Sequence, residues 1–277
     1  MSHLQLLLSL PLALAVAACE PVVAQPTPRK SPARPKPAAK PAAKPAARPA
    51  TPRPVAVNTT STRHRQIARM FASAKLPYPP PVVFLRAFKQ EDQLELWAGK
   101  RRQPLKLIKI YPICAKSGSL GPKRQEGDYQ VPEGFYRVLT VNRRSQFHRS
   151  MKINYPNRSD RVLGVKGNLG GQILIHGKCV TIGCIPIEDK PIEQLFNMLN
   201  RWRRRYRNVR RIQVHIFPMR MTAANVKRLE RLARGKPQLL AFWRNIRPGY
   251  TLFEQTRRLP RVRVDRKTGR YLITAGR

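Results

Sequence analysis

The sequence predicts a mainly β fold with helices added at its C-terminal end, an α+β class. Three observations carry that prediction. Between residues 82 and 176 short β-type apolar runs alternate with Gly- and Pro-containing turn signals. After residue 190 the apolar positions shift to helical spacing. The chain has 277 residues and is 42% hydrophobic, enough for one or two domains with a real core and too apolar for a disordered tail protein.

The first element is a leader. Leu4 to Ala18 is an apolar stretch of signal-peptide length, too short to span a bilayer, so residues 1–18 are expected to be a signal peptide. It ends in Val16-Ala17-Ala18-Cys19, which resembles the lipobox of bacterial lipoproteins. That resemblance implies cleavage before Cys19 and lipidation of its thiol. A cut after Ala24 is the alternative and gives a soluble secreted protein. Met1 to Gln5 holds no Lys or Arg. A cytosolic protein with an apolar start is disfavoured, because nothing nearby offers that stretch a partner face. Residues 19–62 are expected to form a disordered Pro/Ala/Lys-rich tether. Within residues 26–54, ten of 29 positions are Pro and eight are Lys or Arg. Proline at that density blocks helix and sheet ladders, and a polyproline II chain at about 3.1 Å per residue reaches on the order of 90 Å.

Residues 63–81 read as a helical lead-in. Ile67, Met70, Phe71 and Ala74 share a face over Arg63–Leu76, and Pro77-Tyr78-Pro79-Pro80-Pro81 ends it. Strands are expected at Val82–Phe88, Leu94–Trp97, Leu105–Tyr111, Phe135–Leu139, Met151–Tyr155 and Ile173–His176. A helix over Pro191–Asn200 carries its proline near the first turn. Ile212–Phe217 is a further strand, Thr222–Arg234 and Pro237–Arg247 are helices, and Tyr271–Thr274 is a last strand.

Charge narrows the partners. The 55 Lys and Arg against 14 Asp and Glu give a net +41, which calls for an anionic partner. Residues 91–196 are nearly balanced, with 18 bases and 10 acids, and that is where chemistry is expected. Residues 197–277 hold 23 bases against Glu230, Glu254 and Asp265. Arg201, Arg203, Arg204, Arg205, Arg207, Arg210 and Arg211 cluster around Trp202 and Tyr206. Such a cluster suits a solvated face, an electrostatic footprint for an acidic polymer or membrane surface, or a phosphate backbone. A nucleic-acid partner is disfavoured by the export signal.

The chemistry centres on Ile173-Leu174-Ile175-His176 and the following Gly177 to Cys184 loop. An apolar strand delivers a histidine, and eight residues later a Gly-Cys pair closes a loop. A thiol nucleophile needs a neighbouring base, which His176 supplies to Cys184. Gly183 allows close backbone approach, so the N–H groups of Gly183 and Cys184 are expected to form an oxyanion hole. Read from residues alone, a structural Cys and a satisfied His remain an alternative.

The stretch from His176 to Cys184 resembles the catalytic motif of the L,D-transpeptidase (YkuD-type) cysteine enzymes of bacterial cell walls, and most closely their YafK-like branch. Further matching segments are Tyr111–Gly118, Gly127–Tyr136, Tyr155-Pro156-Asn157 and Val214-His215-Ile216-Phe217-Pro218. The resemblance runs from about residue 82 to the end. It implies an L,D-transpeptidase-type β-sandwich over residues 82–277, with a basic C-terminal extension, Cys184 as nucleophile and His176 as general base and acid. Two positions depart from the commoner members. Thr181 stands where they have Ser, and Ile185-Pro186 follow Cys184 where an Arg follows shortly in them.

The resemblance implies attack on the L-centre carbonyl of meso-diaminopimelate in peptidoglycan stem peptides. The product is then either a crosslink or, as associated with the YafK-like branch, hydrolytic release of an outer-membrane lipoprotein from peptidoglycan. A non-catalytic wall-binding protein using the same cleft is the alternative. Thr181, Gly177, His148, Tyr155, Ser117 and His215 are candidate substrate contacts; Tyr155 also reads as a packing residue, and His215 as the cap of a sheet face. No cofactor is expected, and no zinc-ligand spacing appears beyond Cys179–Cys184. With Cys19 lipidated, Cys114, Cys179 and Cys184 remain, so at least one thiol stays free; a Cys114–Cys179 bridge is one pairing among those open. The expected location is the periplasmic side of the cell envelope, anchored at the outer membrane through Cys19.

Overall fold

A computed structural model describes residues 59–276. The expected signal peptide, Cys19 and nearly all of the tether lie outside the described residues. The first described element, α1 (Thr59–Ser73), starts four residues before the expected Arg63.

Ten strands follow the predicted order with short additions. They are β1 (Val82–Phe88), β2 (Gln93–Gly99), β3 (Lys106–Pro112), β4 (Gly134–Ser145), β5 (His148–Ile153), β6 (Leu174–His176), β7 (Ile185–Pro186), β8 (Gln213–Phe217), β9 (Arg261–Val264) and β10 (Tyr271–Thr274). The helices are α2 (Arg158–Leu163), α3 (Asp189–Tyr206), α4 (Ala223–Leu232) and α5 (Pro237–Thr256). Strands β1 to β8 form one mixed sheet in the order β3-β2-β1-β8-β4-β5-β6-β7, while β9 and β10 pair separately. The pairs β1–β8 and β6–β7 are parallel and the rest antiparallel.

The two layers expected of a sandwich are two halves of this one sheet. They share the long β4, whose Gly134–Arg137 pair with β8 and whose Val138–Ser145 pair with β5. Leu85 and Leu96 from one half close on the same buried cluster as Met151, Ile153 and Ile175 from the other, together with Phe71 of α1 and Leu195 and Trp202 of α3. Each such side chain removed from water contributes about 1.5–3 kcal/mol. A second cluster lies on the other face, where Phe88, Phe135 and Phe217 meet Trp243, Ile246 and Tyr250 of α5. Central strands covered on both faces read as nearly continuous apolar runs, which is how Val82–Phe88 reads.

Helix α5 departs from its expected end at Arg247 by running through Pro248 to Thr256. A proline inside a helix forfeits one hydrogen bond. Tyr250 and Phe253, buried beyond it, hold the continuation in place. Gly249 is required there, because a Cβ would lie 2.4 Å from Phe135 Cζ. Arg86, in the middle of β1, is 1% exposed. Its guanidinium pairs with Glu95 at 2.8 Å and Glu254 at 2.6 Å, and Glu95 also accepts from Trp97 Nε1 at 2.7 Å.

Candidate active site

Strands β6 and β7 position the two central side chains. Their parallel register sets Ile175 beside Ile185 and His176 beside Pro186. Cys184, just before β7, therefore lies next to Leu174, on the same sheet face as His176. The Leu174 N–H donates to Cys184 Sγ at 3.4 Å, and the thiol donates to the Gln172 carbonyl at 3.6 Å. His176 is 1% exposed, with the Phe147 ring 4.6 Å away. Its Nδ1 lies against the Gly177 carbonyl. A carbonyl only accepts, so Nδ1 carries the proton and Nε2 is left as the basic nitrogen. Gly177 fits because a Cβ would meet Asp189 Oδ1 at 2.6 Å and Ile192 Cγ2 at 2.9 Å.

Burial pushes the Cys184 thiol up, with the Leu174 N–H and the Lys123 charge acting in the other direction. Burial likewise holds His176 below the ordinary histidine value, opposed by the bond to Gly177. Both effects favour a neutral thiol and a neutral imidazole at rest.

Cys184 opens into a cleft of about 190 Å³ whose walls include Ile113, Ser117, Val131, Ile185 and Ile216. Ser117 Oγ is buried without a hydrogen-bond partner. At the floor, Lys89 Nζ donates to the Gly121 and Val131 carbonyls at 2.8 and 2.9 Å and pairs with buried Glu133 at 3.1 Å. The remaining described cysteines, Cys114 and Cys179, are disulfide-bonded across 65 residues, so Cys184 is the free thiol among the described residues. The bridge ties the segment leading to the Ser117 wall to the loop carrying Cys184. Glu188 lies beside the bridge, but bonded sulfurs offer no thiolate to a cation.

The L,D-transpeptidase catalytic-domain (YkuD) family matches residues 89–216. YafK from Escherichia coli strain K12, which bears an L,D-transpeptidase name, is 37% identical over 194 residues, covering 69% of this chain and 74% of its own. The chain belongs to the L,D-transpeptidase (YkuD) family. YafK from Escherichia coli O157:H7 matches equally. Among solved structures, the helical cell shape determining protein Pgp2 from Campylobacter jejuni is 17% identical, covers 74% of this chain and 80% of its own, and has a TM-score of 0.41. Mycobacterium tuberculosis L,D-transpeptidase 1 is 10% identical with a TM-score of 0.29, covering 49% and 62%.

Within this L,D-transpeptidase domain the two N–H groups expected to form an oxyanion hole are engaged inside the loop. The Gly183 and Cys184 N–H groups both donate to Thr181 Oγ1, at 3.2 and 2.8 Å, and the Thr181 hydroxyl donates to the Cys184 carbonyl at 2.8 Å. At rest, Thr181 braces the loop through both N–H groups and the Cys184 carbonyl. Gly183 is required by its φ of 130° and by space, since a Cβ would sit 3.0 Å from the Gln130 carbonyl.

The other expected contacts divide. Ser117 shares the cleft with Cys184. His215 does not: it points away from Ile216, which lines the cleft, and is buried between the Phe84 and Phe135 rings at 4.6 and 4.8 Å. Its Nε2 meets Gln213 Oε1 at 3.0 Å. His148 is turned to α3, with Nε2 3.0 Å from Glu193 Oε1. Tyr155 is core, and its hydroxyl donates to the Leu169 carbonyl at 2.9 Å. Neither His148 nor Tyr155 is among the residues that line the Cys184 cleft.

Sequence reading missed Lys123, Lys89 and Gln172. Lys123 Nζ is held by Asp128 at 2.6 Å and lends its charge to Cys184. The signal for it was the Gly127-Asp128 turn within a family-like segment. Nothing in the sequence marked the Gln172 carbonyl, because a backbone group carries no residue-type signature.

Proposed function

We propose that this L,D-transpeptidase-family chain is a cysteine acyltransferase or hydrolase acting on peptidoglycan stem peptides. The observation that carries the reading is the free Cys184, on the same sheet face as His176 and open to the cleft, while the other described cysteines are bonded to each other. Cys184 Sγ attacks the L-centre carbonyl of meso-diaminopimelate as its proton passes to His176 Nε2. The carbon–nitrogen bond breaks, His176 returns the proton to the leaving amine, and a thioester remains. Water or a second amine then attacks, giving up a proton to His176, and the thiol is restored. Ser117 Oγ, buried and unpartnered in the same cleft, supplies a donor for the bound peptide.

Water as the second attacker gives an amidase that releases protein from peptidoglycan; an amine gives a crosslink. Ile185 in the cleft wall, with no arginine among the cleft-lining residues, supports a donor recognised without the guanidinium of commoner members. The proposed setting is the periplasmic face of the envelope, with residues 1–18 removed and Cys19 lipidated at the outer membrane.

The test is digestion of sacculi that carry covalently attached outer-membrane proteins, run with the purified chain beside Cys184→Ala and read by mass spectrometry. Released protein with an intact C-terminal residue, absent with the variant, establishes hydrolysis. New diaminopimelate–diaminopimelate crosslinks or exchanged fourth residues establish transpeptidation. No difference from the variant overturns the enzymatic reading in favour of wall binding.

A further inference from the structure

A second concave site lies between α1, α3 and the β4–β5 hairpin, and shares no described lining residue with the Cys184 cleft. Its volume is about 380 Å³. Arg143 and Arg149 enter from the hairpin, and Arg201 and Arg204 from α3, with the Asn197 and Asn200 amides between them. No carboxylate is among the described residues that line it. Arg143, Arg201 and Arg204 have no carboxylate partner among the described residues, and Arg149 reaches Glu193 only at 3.8 Å.

Arg149 supplies the sharper observation. Its side chain is 18% exposed, it rests over the Phe196 ring at 5.0 Å, and its Nε is buried with no hydrogen-bond partner. A buried donor of this kind calls for an acceptor, since such groups in folded proteins are almost always satisfied. The neighbouring charges converge on the same space: beyond burial, Arg201 and Arg204 are what hold His64 below the ordinary histidine value.

We propose that this pocket binds a phosphate group. Guanidinium forks match oxyanions bidentately, and four of them, from β4, β5 and α3, line this one pocket. A tetrahedral phosphate presents oxygens in every direction and up to two charges. A planar carboxylate presents two oxygens and one charge, and leaves most of this cluster unanswered. The shared chemistry is a phosphate, carried either by a soluble phosphate ester or by a phospholipid headgroup. The inference stands apart from the chemistry proposed at Cys184.

The test uses the full chain and isothermal titration with inorganic phosphate against chloride at matched ionic strength. Three variants are compared: Arg201→Gln/Arg204→Gln, Arg149→Lys, and the charge-matched control Arg261→Gln/Arg263→Gln on β9. Wild type and control are expected to bind phosphate, the pocket double variant to lose at least tenfold in affinity, and Arg149→Lys to lose severalfold although its charge is kept. Absence of phosphate binding beyond chloride in the wild type, or equal losses in the pocket and control double variants, overturns the proposal. Co-sedimentation with phosphatidylglycerol and phosphatidylcholine vesicles separates the sources. Pocket-dependent vesicle binding displaced by phosphate assigns a lipid headgroup. Pocket-dependent phosphate binding without it assigns a soluble phosphate.

Discussion

The Thr181 hydroxyl brackets Cys184: it accepts the Cys184 N–H at 2.8 Å and donates to the Cys184 carbonyl at 2.8 Å. One short side chain therefore fixes both ends of the residue that carries the thiol. Removing it strands two donors, the Gly183 and Cys184 N–H groups, and one acceptor in a partly buried loop, at about 1–3 kcal/mol for each group left unsatisfied. Thr181→Val, nearly the same size, is expected to lower kcat/KM by tenfold or more on the peptidoglycan substrate. Thr181→Ser keeps the hydroxyl and is expected to stay within about threefold of wild type. Equal loss in both variants points to shape rather than hydrogen bonding.

The resting charge state at Cys184 and His176 gives a pH prediction. Burial raises the thiol and lowers the imidazole, so the pair sits as neutral partners at neutral pH instead of as thiolate and imidazolium. Alkylation of Cys184 by iodoacetamide, which reads the thiolate, is expected to climb with a midpoint above the ordinary thiol value. The acid limb of kcat/KM reads neutral His176 and is expected below the ordinary histidine value. A flat alkylation rate from pH 6 to 8 would instead mean a preformed ion pair.

The Cys114–Cys179 bridge closes 65 residues and ends five residues before Cys184. Chain entropy for a loop of that length is worth roughly 4 kcal/mol, reduced by any structure left in the unfolded chain. Cys114→Ser/Cys179→Ser is expected to unfold at lower urea concentration by 2–4 kcal/mol. Its activity is expected to fall further than folding alone explains, because the bridge also joins the segment before Ser117 to the Cys184 loop. Activity measured well below the urea transition separates the two effects.

Elements with a strong local signature were legible in the sequence. Val82–Phe88 is found at its expected bounds, since a nearly continuous apolar run buried on both faces is marked off by Pro79-Pro80-Pro81 before it and by Lys89 after it. The family-like motif segments were legible as motifs but not as roles. Asn157, within Tyr155-Pro156-Asn157, caps α2 and donates to the Phe135 carbonyl and Tyr271 Oη at 3.0 and 2.9 Å, so it is scaffold. The fate of the Gly183 N–H was not legible, because it depends on a hydroxyl two residues away folding back. Trp202 and Tyr206 interleave with arginines in a pattern that suits a phosphate backbone. Helical spacing puts Trp202 in the core at 3% exposure, which leaves only charge to support that reading.

His215 shows how a histidine can match a family segment and still be part of the packing. Burial, together with the nearby Arg86 charge, lowers its pKa to about 3. The unfolded chain takes up a proton near the ordinary value of about 6.5 while the native state stays neutral. Between those values the unfolded state binds more protons, so stability rises with pH across that window. The contribution is fully present above about pH 6.5 and is lost as pH falls toward 3, at about 1.4 kcal/mol per pH unit. His215→Phe keeps a ring among Phe84, Phe135 and Phe217 and removes the titration. Urea unfolding at pH 7 and pH 4.5 is expected to show a smaller loss of stability in the variant, by roughly 2–3 kcal/mol. An identical loss in both proteins would place the acid sensitivity elsewhere, with buried Asp160, whose carboxyl is pushed up to about 6, ruled out by the sign of its shift.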